Sequence, residues 1–405
     1  MGWKVYLSES NTIRVESKVN ELAKSLAGTK ENGAGLMGGS AGLACFYAYF
    51  ARWKGDLHFD RLVADMLGRA VNPSTGLFPG MMFSDGMGGI AWTIDHLYKG
   101  GLIKENGSEI FKKLDPHLFD AMVREIKKGH YDYLHGALGI ALYYLRDPEN
   151  EQYRYSLSVL VKELYKQAEQ DEDSCMKWRA VLDGDKGYRG YNLSLSHGIA
   201  SIIIILCRIM EAEIEAKLCE KMIKGGLAFL EKQRLDPEKY ISGFPSWAIE
   251  NEDDLTHSRL AWCYGDLGIG LAFIKAGILW PKERYHATGL EILLNTCRRK
   301  DPEENNVRDA GICHGAAGVA FIYNSLYQKT ENPAFMECAM YWLDICLNMA
   351  GHTNGIAGYR SWYHPKYGGW KNSTGLLDGA VGIGMVLLSF ISNFEASWGQ
   401  CLLLD

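Results

Sequence analysis

Residues 39–47 read GSAGLACFY: a glycine, two small residues, a second glycine, then an apolar run. The pattern returns at Gly86 (GMGGIAWTI), Gly136 (GALGIALYY), Gly198 (GIASIIIIL), Gly265 (GDLGIGLAF), Gly315 (GAAGVAFIY) and Gly379 (GAVGIGMVL). In the fourth copy Ser201 takes the place of the second glycine. Successive copies start 47, 50, 62, 67, 50 and 64 residues apart, so seven units fill nearly all of the 405 residues. Self-similarity at this period marks a repeat architecture instead of several unrelated domains. An apolar run without a polar face predicts a helix buried on most sides. Between the signatures, residues 157–167 (LSVLVKELYKQ) and 215–230 (EAKLCEKMIKGGLAFL) are amphipathic at helical spacing. One buried and one amphipathic helix per unit, seven times over, predicts an all-α protein. Its form is an α/α toroid, a double-layered barrel of seven inner and seven outer helices, built as one domain over residues 1–405. Glycines where the inner helices begin permit tight turns and close packing. If the inner helices run parallel, seven N-termini meet at one mouth. Their unsatisfied N–H groups and partial positive charge are expected to favour anions there.

Composition narrows the partners. Apolar residues make up 47% and charged residues 23%, ordinary for a globular chain. Net charge is −6, with the signs interspersed and no Lys/Arg block, which argues against nucleic acid. The longest apolar stretch, residues 199–210, contains Arg208 and is too short to span a bilayer. The start, MGWKVY, lacks a secretory pattern, and Tyr6 stands where N-myristoylation calls for Ser or Thr. A cytoplasmic protein without membrane insertion is therefore expected. The ten cysteines form no disulfide framework and read mostly as reduced, buried residues.

The chemistry lies in the residues that break the repeat. Immediately before the first glycine stand Gly38, Asp85, His135, His197, Tyr264, His314 and Asp378. One position earlier stand Met37, Ser84, Leu134, Ser196, Cys263, Cys313 and Leu377. Consecutive units five and six thus carry cysteine in the same frame position, and His314 adjoins the second. A single cysteine here would be a core residue; two at equivalent, adjacent places of a ring, with a histidine beside them, form a ligand set suited to Zn²⁺. Three protein ligands are the number a catalytic site uses, whereas structural sites close with four. His197 fills the frame position of His314 in a unit without cysteine, and serves either as an acid/base or as a satisfied core histidine. Asp132, four residues before the third signature, is a partner for such a group or a capping residue. Arg259, four residues before Cys263, either pairs with a carboxylate or is solvated.

With its HG at 197–198, WCYG at 262–265 and CHG at 313–315, the chain resembles the lanthionine synthetase C-like family, which includes lantibiotic cyclases. The resemblance runs the length of the chain. It implies the α/α toroid, zinc on Cys263, Cys313 and His314, acid/base roles for His197 and Asp132, and an active site lined by Arg259 and Tyr264. It further implies addition of peptide cysteine thiols to dehydroalanine or dehydrobutyrine, giving thioether rings in a dehydrated precursor peptide. A dehydratase and a transporter are the expected companions. His135 departs from the family pattern and is read as filling the ring. Two alternatives within reach are glutathione addition to dehydroamino acids in proteins, and a non-catalytic zinc-bearing scaffold using the aromatic segment 358–370 (GYRSWYHPKYGGW). A glycosidase would need paired carboxylates at the mouth. Asp85 and Asp378 are all that speaks for it.

Overall fold

The computed structural model describes residues 2–29, 33–72, 79–171, 173–183, 188–250 and 257–404. Helices dominate: α1 (Glu9–Ala27), α2 (Ser40–Lys54), α3 (Asp60–Val71), α4 (Met87–Lys99), α5 (Ser108–Lys127), α6 (Ala137–Tyr144), α7 (Glu151–Gln167), α8 (Ile199–Glu211), α9 (Ala216–Glu231), α10 (Asp266–Leu279), α11 (Tyr285–Thr296), α12 (Ala316–Thr330), α13 (Pro333–Asn348) and α14 (Ala380–Ile391). Each of the seven glycine signatures starts one of them, with its first glycine as the N-cap.

The chain falls into two compact units, Met1–Leu114 with Pro302–Asp405, and Asp115–Asp301. In the first, the signature helices lie side by side in the order α12, α14, α2, α4; in the second the order is α6, α8, α10. The signature helices form the cores of these units. All of α14 is buried, whereas α7 buries only the stripe Tyr153, Ser156, Leu157, Leu160, Val161 and Leu164. Amphipathic helices cover them: α13 packs on α12, α3 on α2, α7 on α6, α9 on α8 and α11 on α10. The partner of α14 comes from the other end of the sequence, since α1 packs on it. Beside that contact the Trp3 indole donates to the carbonyl of Ser389 at 2.7 Å.

Neighbouring signatures are stitched at the frame position two residues before the glycine. The N–H of Cys313 donates to Leu377, that of Leu377 to Met37, and that of Met37 to Ser84, all main chain to main chain. In the other unit Ser196 donates to Cys263 in the same way. Equivalent residues of the repeat are thus neighbours along each arc.

The second glycine of the signature is a close-approach residue. A Cβ at Gly318 would stand 1.9 Å from the carbonyl oxygen of Ile312, and one at Gly382 would stand 1.9 Å from that of Leu376. In each case the six-residue-earlier carbonyl fills the space, so only glycine fits unless the turn shifts. Gly265 alone among the seven first glycines has a left-handed φ, +95°.

One expectation changes. The first-turn N–H groups of α2, α6, α12 and α14 are not left over. Those of Ala316, Ala317 and Gly318 donate to the carbonyls of Asp309, Ala310 and Gly311, and the starts of α2, α6 and α14 repeat the same seven-residue return. The turn before each of these four helices folds over its end, so their donors are spent and do not offer an anion site. Short strands also interrupt the helical pattern. Arg179–Asp183, Tyr188–Asn192 and Trp247–Ile249 form an antiparallel sheet in that order. Two ribbons pair Glu169–Gln170 with Met176–Lys177, and Ser361–Trp362 with Trp370–Lys371. All of them lie in the three longest steps of the repeat, where the extra residues are absorbed by hydrogen-bonded connections. No helix among the described residues is long and apolar enough to cross a membrane.

Candidate active site

Three of the seven signature turns are shaped by a side chain six residues before the first glycine. Asn192, Asp309 and Ser373 occupy that position, and each accepts the N–H two residues on, at Ser194, Gly311 and Gly375. This is the local bond by which such side chains fix a turn. The residue just before the glycine is then held out of the helix. At two of the three histidines in that position a further side chain captures the N–H: Ser194 Oγ accepts from His197 at 3.1 Å, and Asp132 Oδ1 from His135 at 2.8 Å.

Asp132 therefore caps a turn, and it also does more. Its Oδ2 lies 2.6 Å from Nδ1 of His197, in a pair whose side chains are 17% and 28% exposed. Burial alone would keep Asp132 protonated, but the His197 hydrogen bond and charge outweigh it, and the carboxyl pKa falls below its ordinary value. Burial likewise opposes charge on His197, and the adjacent carboxylate outweighs it, so the imidazole pKa is raised. The two shifts favour a carboxylate–imidazolium pair. With Nδ1 engaged by Asp132, Nε2 is the nitrogen left for a reacting group.

Tyr264 and His135 flank this pair. The His197 ring is 6.1 Å from Tyr264 and 5.9 Å from His135, the latter stacked at 21° with His135 exposed. Tyr264 touches Trp247 edge-on at 6.3 Å, and burial raises its pKa, which keeps it a phenol and a donor. Asp132, Asn192, His197 and Tyr264 line a cavity of about 660 Å³, walled on the sheet side by Arg179, Ala180, Leu182 and Arg189. That volume lies within the range of sites that enclose ligands.

The turn bearing Cys263 and Tyr264 is braced from below. Asp266 accepts the N–H groups of Gly243 and Phe244 and pairs with Arg299 at 3.0 Å; Arg299 also donates to the Ser258 carbonyl at 2.7 Å. The pair is 5% and 3% exposed, a geometry in which the hydrogen bonds must be complete for the charges to be tolerated. Arg259 is different. It is exposed, and no ion pair joins it to a described residue.

In the other unit, His314 Nε2 is 3.2 Å from the Trp362 carbonyl and 3.7 Å from Asp309 Oδ2. Cys263 is buried in its own unit, and here Cys313 and His314 are partly buried side by side. Two thiols and one imidazole are a donor set that fits zinc.

Among the seven predicted residues, His197, Asp132 and Tyr264 are together in one unit, which also holds Cys263; Cys313 and His314 are adjacent in the other; and Arg259 is exposed. Sequence reasoning missed Asp309, Asn192, Asp266, Arg299 and Trp362. The first two were within reach, because they share the frame position of Arg259, six residues before a signature glycine.

Seven glycine-started helices, six of them backed by an amphipathic helix, define a repeat protein of paired helices that carries the donors of a metal site. The family model for lanthionine synthetase C-like proteins matches residues 30–403, and the chain belongs to that family. Nisin biosynthesis protein NisC of Lactococcus lactis subsp. lactis is 24% identical over 355 residues, covering 81% of this chain and 78% of that protein. Glutathione S-transferase LANCL1 of Danio rerio is 27% identical over 115 residues, 28% of this chain and 26% of that one. Among solved structures, nisin cyclase superposes with a TM-score of 0.77 at 18% identity, covering 98% of each chain, which establishes the toroid fold.

Proposed function

We propose that this chain is a zinc-dependent cyclase that joins cysteine thiols of a dehydrated precursor peptide to dehydroalanine or dehydrobutyrine, forming lanthionine and methyllanthionine rings. The observation that carries the reading is cysteine at one frame position of two consecutive repeats, Cys263 and Cys313, with His314 beside the second, in a member of this family. Those three residues would hold the metal. Zinc bound there supplies ionisation of an incoming thiol at neutral pH, which matters because the thiolate is the nucleophile.

The remaining work falls to the chain's own groups. Addition of sulfur to the β-carbon forms the C–S bond, breaks the C=C π bond and leaves an enolate, whose α-carbon then takes one proton. His197 supplies that proton from Nε2, and Asp132 keeps the ring oriented and charged. One proton leaves the thiol and one enters the product, so His197 is restored over the cycle. The Tyr264 phenol is a donor for the carbonyl oxygen on which enolate charge gathers. Arg259 would act on the peptide from the solvent side. The spent helix N–H groups take no part in this scheme.

The cavity beside His197 is the place for the peptide. We take residues 1–405 as one functional domain working in the cytoplasm, where its thiols stay reduced. A dehydratase must supply the substrate, and a transporter is the natural recipient of the product. The LANCL1 match favours a second reading, glutathione addition to a dehydroalanine-containing protein.

One experiment separates them. The zinc-loaded protein is given a synthetic peptide containing cysteine and dehydroalanine, or glutathione with a dehydroalanine-bearing protein. Cyclisation consumes the peptide thiol at unchanged mass, and this is the expected result. Glutathione adducts without any peptide cyclisation would overturn the proposal in favour of the second reading.

A further inference from the structure

Asp309 is nearly sealed, with its side chain 2% exposed. Its Oδ1 accepts the N–H of Gly311 at 3.0 Å, and its Oδ2 accepts the N–H of Trp362 at 2.6 Å. The other side of the Trp362 residue, its carbonyl, accepts from Nε2 of His314 at 3.2 Å. The direct separation of Oδ2 from that nitrogen, 3.7 Å, is too long for a hydrogen bond. The carboxylate therefore reaches the imidazole through the Trp362 main chain.

We propose that Asp309 is a positioning residue for the metal, acting on His314 through the main chain of Trp362. The inference rests on the zinc reading above. Donation of Nε2–H to a carbonyl fixes the tautomer and leaves the lone pair on Nδ1, which is the nitrogen directed to ligation. Among the described residues, the one group within ion-pair distance of Asp309 is His314. A buried carboxylate held only by neutral N–H donors is costly unless positive charge stands near it. A dication on the far nitrogen of His314 provides that charge. The local sequence makes room for the device: a Cβ at Gly315 would come within 2.4 Å of Asp309 Oδ1. The aromatic segment around residue 362 thus contributes to the site through its backbone, and its indole is dispensable for this purpose.

The test uses the full chain loaded with zinc, and separately with cobalt(II) as a spectroscopic probe. Zinc affinity is measured by competition with a chromophoric chelator, and the cobalt ligand-field bands are recorded. Asp309→Asn should weaken zinc binding about 10- to 100-fold and shift those bands, while Trp362→Ala, which keeps the carbonyl, should leave both unchanged. A merely structural role would lower the melting temperature and leave affinity and bands where they were. Should Asp309→Asn not fold, Asp309→Glu reads out the same quantities, with the carboxylate displaced by one methylene. Wild type and Asp309→Asn binding zinc equally, with identical cobalt spectra, would overturn this inference alone. A wild type that takes up neither metal would overturn the zinc reading as well.

Discussion

Replacing Asp132 with Asn keeps the shape of the His197 partner and removes its charge. The contact at stake is the 2.6 Å bond between Oδ2 and Nδ1, in a pair whose side chains are 17% and 28% exposed. Hydrogen bonds to charged groups contribute about 1.5–3 kcal/mol. At about 1.36 kcal/mol per factor of ten in rate, the predicted loss in cyclisation is about 10- to 150-fold. It should appear in kcat with KM little changed, because the bond supports proton donation and not peptide binding. The pH dependence carries the sharper signature. Burial opposes charge on His197, and Asp132 overrides it. Without that carboxylate, burial is opposed by Cys263 alone, so the fall in rate as His197 loses its proton should move to lower pH. Stability follows the same linkage. The folded pKa of Asp132 is depressed, so its contribution is present above the ordinary aspartate value and is lost as pH falls through the depressed one. The folded pKa of His197 is raised, so its contribution is complete below the ordinary histidine value and is lost as pH rises through the raised one. The stability gap between wild type and variant should therefore be widest from about pH 4 to about pH 6.5. The assay is loss of peptide thiol at unchanged mass, followed across pH, with bound zinc measured as a control. A variant with full zinc, a rate within twofold of wild type and an unmoved alkaline limb would refute the reasoning.

Cys263→Ala and Cys313→Ala should each lose bound zinc and cyclisation together, while circular dichroism and the melting temperature stay near those of wild type; retention of stoichiometric zinc by either variant would remove that cysteine from the ligand set. Gly318→Ala places a Cβ 1.9 Å from the Ile312 oxygen and should lower unfolding free energy in denaturant by about 3 kcal/mol. Ser201→Ala is its control. The fourth copy already holds a side chain at that frame position, bonded to the Gly198 carbonyl at 2.7 Å, and the cost there should be about 1 kcal/mol. Equal losses at the two sites would show that close approach is not what the second glycine serves.

The sequence by itself determined the helical repeat and its frame. Seven glycine signatures with apolar runs specify buried helices, because an apolar surface on all sides can only be satisfied by burial. Cysteine at one frame position of consecutive units singled out the ligand set, because equivalent positions of a repeat recur in space. It did not reveal that α1 covers α14, which is a contact between distant parts of the sequence with no local signal. Nor did it show that the preceding turns consume the N–H groups at the helix starts: donors look unsatisfied in one dimension when the carbonyls that bind them belong to a loop whose path is unknown. The roles of Asp132 and Asp309 were decided in the same way. Each is a plausible turn residue by its position, and each is one. What tertiary structure added was the second oxygen of each carboxylate, set against His197 in one case and against the Trp362 main chain in the other. Arg259 shares the frame position of Asn192 and Asp309, and its side chain lies exposed. Frame position fixes where a backbone stands, and burial decides which side chains can hold a charge where chemistry needs it.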